Sequence, residues 1–265
     1  MTYAQAALLG LVQGLTEFLP VSSSGHLVMV QSLFHVKEAD LTFDIVVHLA
    51  TLVALVAYYR RDVYFILKGG LTGSREPWEG LTPRAWCGLI VLGSIPAAVV
   101  GLAFKSQLEA SFSEPFSNGI QLLISAALLF STVPLRNFGH TLTWGRSLLV
   151  GVAQAVAILP GISRSGATIA TALHLGVPRD QAARYSFLLS MPAVFGAFLL
   201  QAADVARSTQ PFAPEWGPLL LGFVTSLVSG YLAVAWFVRL LVRGHFAVFG
   251  WWCLLVGAWS LWWFR

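Results

Sequence analysis

Gln13-Gly14-Leu15-Thr16-Glu17-Phe18-Leu19-Pro20-Val21-Ser22-Ser23-Ser24-Gly25-His26 sets a carboxylate, an imidazole and three consecutive hydroxyls into an otherwise apolar surround. A second stretch answers it at one constant offset: Gln154-Ala155-Val156-Ala157-Ile158-Leu159-Pro160-Gly161-Ile162-Ser163-Arg164-Ser165-Gly166. Laid without gaps, Gly10 matches Gly151, Gln13 matches Gln154, Ser22 matches Ser163, Ser24 matches Ser165 and Gly25 matches Gly166. The chain reads as two copies of one module, repeat one about 1–135 and repeat two about 144–265, each supplying half of one polar site.

The surround fixes the class. Of 265 residues, 57% are hydrophobic and 11% charged, against roughly 25% charged in a soluble domain. Apolar runs of about 16–24 residues suit membrane helices, not the roughly ten-residue alternating strands of an outer-membrane barrel. The expectation is one all-α integral membrane domain over 1–265, with short loops. No Lys or Arg precedes Lys37, so the start does not read as a cleaved signal peptide. Cys87 and Cys253 stand alone in apolar segments and suggest neither a disulfide framework nor a zinc site.

Outward from the two motifs, Thr42–Tyr59, Ala85–Phe104, Ser117–Leu135, Gln181–Ala203, Pro218–Val238 and Ala247–Phe264 are each expected to span. The motifs themselves break helices. Thr2–Leu19 stops at Pro20 and is followed by a short limb, Leu27–Leu33; Ser147–Leu159 is followed by Thr168–Leu175. The expected fold is six full transmembrane helices plus two re-entrant helix-break-helix pairs.

If the loop after the first full span is cytoplasmic, that side collects eleven of the sixteen Lys and Arg and the other side four, with Arg164 between them. This follows the positive-inside rule and explains the net charge of +4 without nucleic acid as a partner. Three full spans per half make the two modules inverted repeats, whose breaks enter from opposite faces and meet inside the membrane.

Glu17 is an ionisable group deep in an apolar run, a costly placement that marks function. Gln13 lies one helical turn earlier on the same face. A carboxylate and an amide oxygen are a reasonable start to a hard-cation site for Mg²⁺ or Ca²⁺, with phosphate oxygens and water completing the shell. Ser22, Ser23, Ser24 and Gly25 open a helix expected to begin near His26, and helix N-termini bind anions. Ser163, Arg164, Ser165 and Gly166 repeat this opening with a guanidinium suited to phosphate, and Thr168 adds a hydroxyl. His26, beside these groups, is a candidate base or nucleophile. Asp44 and His48 share a face of the first full span, where they either line the same cavity or hydrogen-bond between helices, the second being the simpler expectation. The Trp-rich C-terminal run reads as lipid-facing anchors.

These two motifs resemble those of the undecaprenyl-diphosphatase family of bacterial membrane phosphatases, the bacitracin-resistance type, and the segment pattern agrees along the whole chain. The resemblance implies hydrolysis of undecaprenyl diphosphate to the monophosphate carrier of cell-wall synthesis, dependence on a divalent cation, and a site open to the outer face of the bacterial inner membrane. Glu17 and Gln13 would be the metal-associated pair, Ser23 and His26 would serve the chemistry, and Arg164 would hold the diphosphate. Gln13 carries no charge where the family also uses Glu. A serine nucleophile with a histidine base, a histidine nucleophile and a metal-activated water all suit these residue types. The expected partners are the polyprenyl diphosphate and membrane lipids, with a second copy of the chain as a candidate. The rival reading is a polyprenyl-phosphate transporter or flippase, because inverted repeats with broken helices are transporter architecture.

Overall fold

A computed structural model describes residues 1–34, 41–105, 107, 115–135, 139–207 and 215–264. Among them the regular structure is helical, apart from one isolated bridge between Trp78 and Leu81. The helices are α1 (Tyr3–Phe18), α2 (Ser23–Leu33), α3 (Leu41–Tyr58), α4 (Arg60–Thr72), α5 (Pro83–Ala103), α6 (Pro115–Phe130), α7 (Trp144–Val156), α8 (Arg164–His174), α9 (Arg179–Arg207), α10 (Trp216–Val242) and α11 (Val248–Trp263).

Local chemistry explains the boundaries. Thr2 and Gln5 form a capping box at the start of α1. Leu19, at φ −68° and ψ 146°, ends α1 in the extended geometry favoured before a proline. Thr82 caps α5 with Pro83 at its first position, and Thr143 caps α7.

Among the described residues three helices are individually long and apolar enough to cross a membrane: α5, α9 over 179–205, and α10. The pair α3 and α4 counts as a fourth if its 77° bend lies within one span. With sixteen residues each, α6 and α11 reach about 24 Å, short of a hydrocarbon core of about 30 Å. Ala126 and Leu129 of α6 are buried, and the helix stops at Phe130 rather than running to Leu135. Val91, Leu102, Leu220, Leu232, Leu255 and Trp262 are each more than 60% exposed. So much large apolar surface suits an exterior that faces lipid.

The expected loop after Tyr59 contains α4. This helix buries Ile66 and ends on Gly73 in the left-handed conformation. Arg184 of α9 pairs with Asp62 at 3.2 Å and with Glu79, and lies 4.4 Å over the Trp78 ring, fastening α4 and the following loop to the bundle.

The two first limbs are seated alike. α1 packs on α10, and α7 packs on α5. A methyl group added at Gly10 would fall 2.5 Å from the Gly222 carbonyl oxygen, and one at Gly151 would fall 2.3 Å from that of Gly93. Backbones this close need small residues at the crossing. Between these pairs α9 packs on both α3 and α5, and α11 packs on α6. Trp86, Tyr185, Phe187 and Phe237 fill the centre.

Candidate active site

Both short limbs begin earlier than the sequence suggests, so the motif residues form their first turns. Ser22 is the N-cap of α2, its Oγ accepting from Gly25 N at 3.4 Å. Ser163 is the N-cap of α8, accepting from Gly166 N at 3.1 Å. Ser23 and Ser24, like Arg164 and Ser165, thus hold first-turn positions, whose backbone N–H groups have no intrahelical acceptor. In each motif the outer hydroxyls lie 3.3 Å apart, Ser22 with Ser24 and Ser163 with Ser165. Ser22 itself has φ 66°, an uncommon conformation for a residue with a side chain.

The two breaks touch. A methyl group at Gly25 would lie 3.4 Å from Gly161 Cα, and one at Gly166 would lie 3.4 Å from Pro20 Cβ. These contacts exchange into one another under the sequence offset. Gly161 has φ +97°, and its Cα position faces the Asn118 carbonyl and the Gln121 side chain, leaving no room for a Cβ. Ser125 of α6 braces this turn: its Oγ donates to Gly161 O at 3.2 Å and accepts from Ser163 N at 3.0 Å.

Glu17 is the centre of the cluster. Its Oε1 accepts from Arg164 Nη2 at 2.6 Å, across 147 residues of sequence. Its Oε2 accepts from Ser23 Oγ at 2.6 Å and from Gln13 Nε2 at 3.0 Å. The Glu17 side chain is only 8% exposed and that of Arg164 16%. Gln13 is fully buried, and its Oε1 has no partner; Arg164 Nη1 has none either. One acceptor and one donor are therefore left over beside the ion pair, and buried polar atoms without partners are costly enough to need a ligand or water.

The expected residues are not all gathered there. His26 turns its Nδ1 to Ser22 O at 2.8 Å and receives Trp252 Nε1 on Nε2 at 2.9 Å. Thr168 faces away: it donates to Arg164 O at 2.8 Å and lies 2.6 Å from Ser186 Oγ. Asp44 accepts from Gln31 of α2 at 3.4 Å, the expected link between helices, and His48 bonds within its own helix to Asp44 O. In the second motif Ile158 stands at the place of Glu17 and Gln154 is buried without partners, so the charge is asymmetric although both short limbs start on a capping serine.

The donor set fits a divalent cation to a limited extent. Among the described residues there is no group of three or more His, Cys, Asp or Glu. Glu17 and the unpartnered Gln13 Oε1 offer two hard oxygens, which suits an ion that brings substrate phosphate oxygens with it rather than one held in an all-protein cage.

Comparison with known proteins bears on this arrangement. The profile described as "Bacitracin resistance protein BacA" matches residues 6–259. The chain belongs to the BacA family. An undecaprenyl-diphosphatase of Geobacter sulfurreducens is 44% identical over 261 residues, covering 97% of this chain and 96% of the relative. One from Korarchaeum cryptofilum is 42% identical over 261 residues, with 97% of each chain covered. One from Carboxydothermus hydrogenoformans is 41% identical, covering 97% of this chain and 95% of the relative. In this BacA chain two polar contacts around the motifs had no signal in the sequence: Ser125, one more serine in an apolar helix, and Trp252, one of ten tryptophans.

Proposed function

We propose that the chain hydrolyses undecaprenyl diphosphate to undecaprenyl phosphate and inorganic phosphate, recycling the lipid carrier for cell-wall synthesis and conferring resistance to bacitracin. The observation that carries this reading is the join across the two breaks: Arg164 from one and Ser23 from the other meet on the carboxylate of Glu17. Both neighbouring helix starts offer N–H groups to a phosphate. The relatives bear the name of this activity.

Charge builds on phosphoryl oxygens and on the leaving phosphate as the anhydride bond breaks, so catalysis needs positioned positive groups. Arg164 supplies a guanidinium with an unused donor, Nη1. Ser23 supplies a hydroxyl already donating to a carboxylate. This supports Ser23 Oγ as the attacking atom, its proton passing to Glu17 Oε2 and undecaprenyl phosphate departing, after which water releases phosphate from the serine. His26 does not touch Ser23, so its contribution is to later proton movement or to headgroup binding. A divalent cation on Glu17 and Gln13 Oε1 would add neutralising charge to the diphosphate.

The reciprocal contacts of Gly25 with Gly161 and of Gly166 with Pro20 support inverted repeats. So do the matched pairs α1 on α10 and α7 on α5. On this reading α3, α5, α6, α9, α10 and α11 are the six spans, the protein is multi-pass in the inner membrane in the orientation that the charge bias favours, and the site opens outward, as the family resemblance implies. Repeats of this kind also favour a second reading, a carrier for the lipid phosphate.

One assay separates the two. Purified protein in detergent should release inorganic phosphate from undecaprenyl diphosphate, stop when EDTA is added, and recover with Mg²⁺. Tight lipid binding with no phosphate release would leave only the carrier, and full turnover in EDTA would remove the cation from the site.

A further inference from the structure

His26 has both ring nitrogens engaged. A carbonyl oxygen only accepts, so the nitrogen 2.8 Å from Ser22 O, Nδ1, carries the proton. The neutral ring then has one lone pair, on Nε2, and the indole N–H of Trp252 lies on it at 2.9 Å. The rings are nearly parallel, 11° apart. Trp252 comes from α11, 226 residues away, and is 53% exposed on the apolar exterior. Its neighbour Cys253 donates to Pro20 O at 3.4 Å, so α11 grips the first break at two adjacent positions. Trp252 therefore joins the first motif to the apolar exterior: one edge of the indole is bonded to the imidazole and about half of the residue is exposed.

We propose that Trp252 is a specificity-determining latch, whose indole N–H occupies the His26 lone pair until the hydrocarbon tail of the entering lipid moves the ring aside. The identity of that lipid rests on the function proposed above; the latch does not. As long as the indole is in place, Nε2 can neither accept a proton nor meet a phosphoryl group. Displacing the indole strands an N–H in an apolar surround, which opposes release. Tail contacts on the exposed side of the ring offset that cost, so binding energy from the unreactive part of the lipid opens the reactive part. On this proposal a long tail makes more of these contacts than a short one.

The test follows the lone pair directly, with diethyl pyrocarbonate, which acylates unprotonated imidazole nitrogen. In full-length protein without substrate, Trp252→Phe should raise the rate of His26 modification about fivefold, the scale of one hydrogen bond, while His140, His174 and His245 keep their rates. In wild-type protein, undecaprenol, which has the tail and no phosphate, should accelerate His26 modification where a fifteen-carbon prenyl alcohol does not. The ratio of kcat/KM for long against fifteen-carbon prenyl diphosphates should fall about fivefold in W252F, through a gain on the short substrate. An unchanged His26 rate in W252F, or no acceleration by undecaprenol, overturns the latch. Equal loss on both substrates makes Trp252 a packing residue and overturns it as well. The modification rates need no turnover, so they stand even if phosphate release is never seen.

Discussion

Arg164→Ala should lower kcat/KM for undecaprenyl diphosphate by at least about 10³-fold, the range seen when a charge-stabilising arginine is removed from phosphoryl transfer. Two losses combine. The guanidinium that would neutralise phosphoryl oxygens is gone, and Glu17 is left buried without its ion-pair partner. Breaking a pair from one side costs about 3–5 kcal/mol because the remaining charge is uncompensated. Arg164→Lys separates the two effects. Lysine can restore the charge beside Glu17, but it lacks the planar fork that leaves Nη1 free while Nη2 is bonded. R164K should thus keep the thermal stability of the wild type and still lose about 10²-fold in rate. Glu17→Gln, which removes the charge that orders both Arg164 and Ser23, should be as inactive as R164A. The double variant should be no worse than either alone, since residues acting as a unit are non-additive. Additive losses in the double variant would mean that the two residues serve separate sites.

Much of this arrangement was legible in the chain. The offset between the motifs announced two copies of one backbone device, and the device is there twice, capped by Ser22 and by Ser163. A serine at a helix start carries its own local signal, which is why this part could be read without tertiary knowledge. What escaped depended on long-range contact. α4 escaped because its basic residues looked like a loop, and only the 77° bend after α3 shows an amphipathic helix turned aside. Thr168 looked like a cradle hydroxyl by proximity, yet one helical turn carries it round to Ser186. Trp252 looked like a lipid anchor, and about half of it is exposed. Aromatic side chains with a polar edge sit naturally between lipid and a hydrogen-bond partner, and sequence cannot say which partner. Glu17 and Arg164 were each marked by being charged in apolar runs, and their contact followed from the expectation that opposed breaks meet.

Gly151→Leu should leave almost no monodisperse protein, and Gly10→Leu should do the same from the other half. At Gly151 a Cβ would meet backbone of the neighbouring helix, and at Gly10 it would meet the Gly222 backbone as well as the Thr225 hydroxyl. Near Gly151 the Gly93 carbonyl oxygen, carbon and Cα lie at 2.3, 2.9 and 2.9 Å; near Gly10 the Gly222 oxygen lies at 2.5 Å. No rotamer relieves such a clash, so α7 must leave α5, or α1 must leave α10. Even Gly151→Ala should cost about 3 kcal/mol, the upper end for overpacking, a fall of roughly 10 °C in melting temperature for a chain of this size. Gly196→Ala is the matching control, because nothing lies within 4 Å of its added methyl and alanine is the better helix former. It should melt at or above the wild-type temperature. The first limbs deliver the chemistry: α1 carries Gln13 and Glu17, and α7 leads through the second break to Arg164. A crossing widened by one methyl group displaces the Arg164 end of a 2.6 Å ion pair. Any G151A protein that survives purification should therefore lose activity at temperatures where it is still folded. If G151A and G196A melt alike, the close crossing of α7 on α5 is not what holds the second break against the first.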